Sequence, residues 1–171
     1  MTDLLSDLRI AEHAALITRI YDLGSETSVD VVELVRVLGG AIEGEHATKG
    51  EHALTVRGKG DFTVTLQPMT SSADDRFEVA AGIGRYLLHW RQLGLEDRPA
   101  AERLWQYPRG AGDGWLDGYR FAMALLMPER AFRRVHLEHA GDARAIATVF
   151  GVPFKKASAR AHSLRLPIDN R

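Results

Sequence analysis

The stretch from Thr70 to Gly94 constrains the fold most. Thr70-Ser71-Ser72 followed by Asp74-Asp75 is a helix start. Its hydroxyls can cap free N–H groups, and its carboxylates sit beside the positive end of the helix dipole. Beyond it Phe77, Val79, Ala80, Ile83, Tyr86, Leu87, Leu88 and Trp90 surround more than half of the helix. A helix apolar over that much of its surface has to be enclosed, so the spacing predicts a central, buried helix. Gly82-Ile83-Gly84 lies inside it and is therefore no nucleotide-binding loop. Each glycine there costs about 1 kcal/mol of helix stability relative to Ala, and the reading is close packing against a neighbouring helix.

The remaining elements follow from period and punctuation. Apolar residues from Leu4 to Tyr21 recur at helical spacing, predicting a helix over 3–22 that Gly24 stops. Ser28 reads as the N-cap of a helix Val29–Leu38, ended by Gly39-Gly40. Ala41–Glu45, His52–Arg57 and Asp61–Gln67 read as strands, with Gly58-Lys59-Gly60 as a tight connection. They predict a small three-stranded antiparallel sheet. Residues 95–114 carry Pro99, Pro108, Gly110, Gly112 and Gly114 and read as loop, with a turn of helix around Ala100–Trp105. Asp113–Leu126 is a further helix, ended by Met127-Pro128, and three short helices follow over 129–138, 142–150 and 154–164. The order predicts an α+β domain with the sheet segregated from the helices: a core over 1–128 and a C-terminal helical subdomain over 129–171 packed on it.

Composition narrows the function classes. With no cysteine among 171 residues, disulfides, thiol nucleophiles and thiolate metal sites are excluded. No apolar run approaches the roughly 20 residues of a membrane span. The first twenty residues lack a basic n-region and a signal-type cleavage site, so the expectation is a cytoplasmic protein without membrane association. Charge is unevenly placed. Residues 129–171 hold nine Lys or Arg against four acids, a net +5, which leaves −6 for residues 1–128. A basic segment of this kind is either a solvated helical face or a contact for an acidic partner.

Two blocks carry the chemistry. One is Arg76-Phe77-Glu78-Val79-Ala80-Ala81-Gly82-Ile83-Gly84-Arg85-Tyr86-Leu87-Leu88-His89. The other is Asp117-Gly118-Tyr119-Arg120-Phe121-Ala122-Met123-Ala124-Leu125-Leu126-Met127-Pro128. Together they resemble the ImmA/IrrE family of metallopeptidases, whose members read much like R-F-T-x-A-H-E-x-G-H-x-L-L-H and E-A-x-x-F-A-x-x-L-L-M-P. Ser28–Leu34 with Leu38-Gly39, and Ala145–Val152, extend the likeness along the chain. The resemblance implies a zincin-like scaffold in which two His one helical turn apart hold Zn²⁺ and the Glu beside the first polarises its water. Here those positions hold Ala81, Gly82 and Arg85, and the third-ligand position is Asp117. Ala and Gly offer no lone pair, and the permanently cationic Arg85 repels a metal. The expectation is a degenerate member with no cofactor. Arg85 and Asp117 are expected to form an ion pair where zinc would lie, with Trp115 or Tyr119 filling the room beside Ala81 and Gly82.

The other histidines give no ligand set: His89 follows Arg85 by four residues, His136 and His139 are spaced by three, and His13, His46, His52 and His162 stand apart. The spacing of Ala147 and Gly151 with Ile146, Val152, Ala157, Ala161 and Leu164 is that of a helix-turn-helix. Its second helix would present Lys155, Lys156 and Arg160, although many helical hairpins share this pattern. Three functions stay open. The first is a non-catalytic regulator that binds a protein partner; the resemblance makes that partner a helix-turn-helix repressor of a mobile element or stress pathway. The second is a DNA-binding regulator using the basic C-terminal helices, and the third a metal-dependent peptidase with a relocated site. The sequence leaves the oligomeric state open.

Overall fold

The structure, a computed structural model, describes residues 6–44, 52–95, 97–112 and 114–169. Leu4, Glu45, His46 and Asp113, named above, lie outside the described residues. The described part is a mixed α+β arrangement of eight α-helices, a four-stranded sheet and a two-stranded ribbon. None of these helices is long and apolar enough to cross a membrane.

Helix α1 (Asp7–Tyr21) is N-capped by Ser6 and buries Ile10 and Ala14. A ribbon of β1 (Gly24–Ser25) and β2 (Ser28–Val29) leads into α2 (Val31–Val37). The cap of α2 is Asp30, whose carboxylate accepts from the Glu33 N–H at 2.9 Å, and not Ser28, which is spent in the ribbon. The sheet also departs from expectation. Strands β3 (Gly40–Gly44), β4 (His52–Gly58), β5 (Asp61–Leu66) and β6 (Trp105–Pro108) lie in the order β3-β5-β4-β6. β4 and β5 form the expected hairpin, turned at Lys59-Gly60 where Gly60 takes φ +70°. β3, however, runs parallel to β5, and the fourth strand comes from a stretch read as loop. Pro108 and a single buried position, Tyr107, weaken that strand's signal, and both are compatible with its place at the sheet edge.

Helix α3 (Ser72–Gly84) starts as the sequence predicts, with Ser71 accepting from the Asp74 N–H at 3.1 Å. Helical winding continues toward Gly94 but changes pitch. Arg85–His89 form a π turn and Trp90–Leu93 a 3₁₀ turn, and Gly94 ends the run at φ +63°. After the short α4 (Ala100–Arg103) come α5 (Trp115–Leu126), α6 (Glu129–Glu138), α7 (Ala143–Phe150) and α8 (Phe154–Ser163), close to the expected bounds.

The two interior glycines of α3 explain its position. A Cβ on Gly82 would fall 2.8 Å from Val64 Cγ2 on β5. One on Gly84 would fall 2.7 Å from Phe121 Cβ and 3.0 Å from Gly118 Cα on α5. α3 is thus clamped between sheet and helix, at distances that no larger residue permits. An aromatic column continues the clamp: Phe62 stacks on Tyr86 at 4.3 Å and Tyr86 on Trp90 at 5.6 Å. The Tyr86 hydroxyl accepts from the Gly60 N–H at 2.8 Å, tying the hairpin turn to the π turn. Phe132, Ile146, Phe150 and Ala161 belong to the same apolar cluster as Leu34, Phe62 and Phe121.

Gly84→Ala gains about 1 kcal/mol of helix propensity but forces the α3–α5 contact apart, which typically costs about 1–3 kcal/mol. Urea unfolding is expected to show net destabilisation. An unchanged or higher midpoint would mean that the helices have slack at this crossing.

Candidate functional site

Ala81, Gly82 and Arg85 lie on the last turn of α3 and at its junction with the π turn, and Asp117 lies in the first turn of α5. The fold therefore brings the four positions to one helix–helix junction. All four are buried, Arg85 at 2% exposure and Asp117 at 4%. Zinc does not fit this residue set. Ala81 supplies no donor, the Gly82 position is closed by Val64, and Arg85 brings a fixed positive charge.

The expected ion pair is not formed. No hydrogen bond or salt bridge joins Arg85 to Asp117. Arg85 Nε and Nη1 and Asp117 Oδ1 are sealed from solvent with no hydrogen-bond partner among the described residues. The reason is the path of the arginine. A Cβ on Gly118 would meet Arg85 Cγ at 2.7 Å and Nε at 3.3 Å, so the side chain runs directly over Gly118. Where the resembled motif has Ala after its acidic ligand, this chain has Gly, and the missing methyl is the room that Arg85 uses. The space beside Gly82, expected to take Trp115 or Tyr119, is occupied by Val64. Trp115 and Tyr119 lie 5.5 Å apart along α5, and Tyr119 meets Phe77 edge-on at 5.4 Å.

Burial dominates the electrostatics. It pushes the Arg85 guanidinium below its usual range; Glu78 and Tyr107 act against that shift and Arg109 adds to it. Burial pushes the Asp117 carboxyl up, against Arg120 and His89. His89 completes the surroundings. Its Nδ1 lies 2.8 Å from the Tyr107 hydroxyl on β6, and Gly114 covers its ring so closely that a Cβ there would fall 2.6 Å from His89 Cγ. Tyr107, Gly118, Val64 and Arg109 were not singled out by sequence reasoning. Gly118 was legible as a departure from the motif, whereas Tyr107 was hidden in an assumed loop.

The other candidates disperse. His13 and His162 bond backbone carbonyls one turn back, at 2.7 Å and 2.8 Å, and His136 bonds the Pro167 carbonyl. His139 caps the end of α6, and His52 begins β4. Among the described residues no three His, Asp or Glu gather as a metal would require. Of the three basic residues on α8, Lys155 is exposed. Lys156 Nζ lies over the Phe77 and Tyr119 rings at 4.6 and 4.4 Å, and burial lowers its pKa. Arg160 Nε donates to the Met127 carbonyl at 3.0 Å. Two of the three cations thus fasten α8 to the rest of the fold.

The model of the peptidase M78 family, described as the IrrE N-terminal-like domain, matches residues 49–162. No curated protein matches the chain.

Replacing the unpaired Arg85 by Met is expected to raise stability by about 1–4 kcal/mol, because a buried ion is exchanged for an apolar side chain of similar volume. Asp117→Asn is expected to add to it within about 0.5 kcal/mol, since the two residues are not bonded. Its benefit should depend on pH. A carboxyl whose folded pKa is raised favours the fold in acid and loses that contribution as pH rises through the folded value. Urea midpoints should therefore separate Asp117→Asn from wild type most at neutral pH and least near pH 4, about the free-Asp value. A strongly non-additive double variant would reinstate the ion pair.

Proposed function

The chain belongs to the peptidase M78 family through its IrrE N-terminal-like domain, and from that membership we propose a non-catalytic regulatory protein that binds a protein partner on a retained peptidase-like scaffold. One observation carries this reading: the positions that would hold metal and general base are replaced jointly, and the surroundings are refitted to the replacements. Val64 packs where a Gly82 side chain would go, and Gly118 gives way to Arg85. A scaffold kept in working order without its chemistry is one whose surface is in use. The partner that the family resemblance favours is a helix-turn-helix repressor of a mobile element or stress pathway, met in the cytoplasm. Binding would hold such a repressor off its operator or shield it. A groove of about 730 Å³ between α1 and the π and 3₁₀ turns, where Leu16, Ile20 and Tyr21 stand partly exposed, supports a protein-binding role.

The DNA-binding alternative draws on the same +5 segment. It is weakened by the inward placement of Lys156 and Arg160, which leaves Lys155 as the exposed cation of the three. Salt-sensitive DNA binding lost on Lys155→Ala would favour it.

Affinity capture on the tagged chain, followed by mass spectrometry, is expected to recover a full-length regulator. Recovery of a cleaved partner, or of no specific protein, would sink the reading. A restoration experiment tests the refitting. The Ala81→His/Gly82→Glu/Arg85→His variant is expected to bind less than stoichiometric zinc and to unfold more readily than wild type, while adding Val64→Ala recovers stability. Stoichiometric zinc in the triple variant with Val64 intact would show that the metal site was never closed.

A further inference from the structure

We propose that Arg85 anchors an oxyanion-binding site, taking one carboxylate or phosphate group of a small ligand at the α3–α5 junction. The inference does not depend on the protein-binding reading.

Its first support is an unbalanced charge. A guanidinium stays protonated in a protein, so burying Arg85 cannot be relieved by losing the proton. An enclosed cation with no counter-ion costs several kcal/mol, and folds normally meet that cost with carboxylates or carbonyls. Here Nε and Nη1 are both sealed and unbonded among the described residues. Asp117 is buried at the same junction, yet its Oδ1 is left unbonded too. Glu78 acts on Arg85 through space without bonding it, and Arg109 contributes charge of the same sign.

The second support is that the arginine is held in place. A long side chain with an unmet charge swings to water when its path allows. This one is laid over Gly118, at a separation that any Cβ would violate, and is only 2% exposed. Arg109, whose charge acts on Arg85, is fixed through Nη2 to the Thr65 carbonyl at 3.1 Å. A guanidinium held in place presents a planar N–H array that matches a carboxylate or phosphate, which accepts two parallel bonds from one arginine.

The experiment combines thermal unfolding with NMR of the arginine Nε–H groups. Phosphate and acetate are titrated separately at constant ionic strength against chloride. The expected result is a saturable rise in Tm, together with a saturable shift of the Arg85 Nε–H resonance. Arg85→Met should weaken binding at least about tenfold, the loss typical of a charge-assisted hydrogen bond. The exposed-site control Arg130→Met should leave it unchanged. A response to phosphate alone assigns a phosphorylated ligand, to acetate alone a carboxylate, and to both a site that reads charge and shape. If Arg85→Met does not fold, the Nε–H titration of the wild-type protein decides. The proposal is overturned if neither anion gives a saturable shift, or if Arg85→Met responds as wild type does.

Discussion

The contact that the rest of the molecule depends on is the crossing of α3 and α5 at Gly84 and Gly118. Each glycine meets atoms of the opposite helix that would exclude a methyl group. This brings the helices close enough that a side chain on one lies across the backbone of the other. Three consequences follow. α3 is pressed onto β5, where Val64 packs against Gly82. Arg85 is enclosed although its charge is unmet. The helix changes to a π turn at Arg85, so that Trp90 N–H reaches back to the Arg85 carbonyl and His89 comes to face Tyr107. π turns inside helices often accompany functional positions, and this one falls where the peptidase motif would place its second histidine.

At the positions where the resembled motif has its ligands and general base, this junction carries Ala81, Gly82, Arg85 and Asp117, of which only Asp117 has a side-chain lone pair to offer a metal. Small residues at such positions would by themselves leave a hole, and holes in a core are destabilising. Instead the space is taken from two sides, by an isopropyl group from the sheet and by a long cationic chain crossing a glycine. Arg85 brings a positive charge to this junction, on a planar group that donates hydrogen bonds and accepts none. Such a group cannot accept an electron pair as a metal does, but its chemistry suits an oxyanion.

What the sequence disclosed follows a physical division. Helices declared themselves through local patterning. The Ser71 cap and the apolar sets of α3 and α5 are encoded within a turn or two of themselves. Strand partnership is not local. Nothing in Gly40–Gly44 states that it will run parallel to β5, and Trp105–Pro108 carries one buried residue and a proline, too little to stand out before β4 offers it an edge. At the site, the identities of Ala81, Gly82, Arg85 and Asp117 were legible in the sequence. The geometry between them was not. The ion pair expected from complementary charges fails because Arg85 is steered over Gly118, a constraint that belongs to the helix crossing and to no single residue.

The way α8 is fastened has a consequence for biosynthesis. Its Arg160 closes on the Met127 carbonyl at the end of α5, its Lys156 lies on Phe77 of α3 and Tyr119 of α5, and its Ala157 and Ala161 are fully enclosed. Through Phe150 stacked on Phe132, α7 completes the same surface. A nascent chain that has emerged only as far as α5 therefore displays a wide oily face with nothing to cover it. α7 and α8 must be made before that face can close, so the core is completed only by chain that follows α5. Until then the growing chain is a natural client for chaperones that shelter exposed apolar surface.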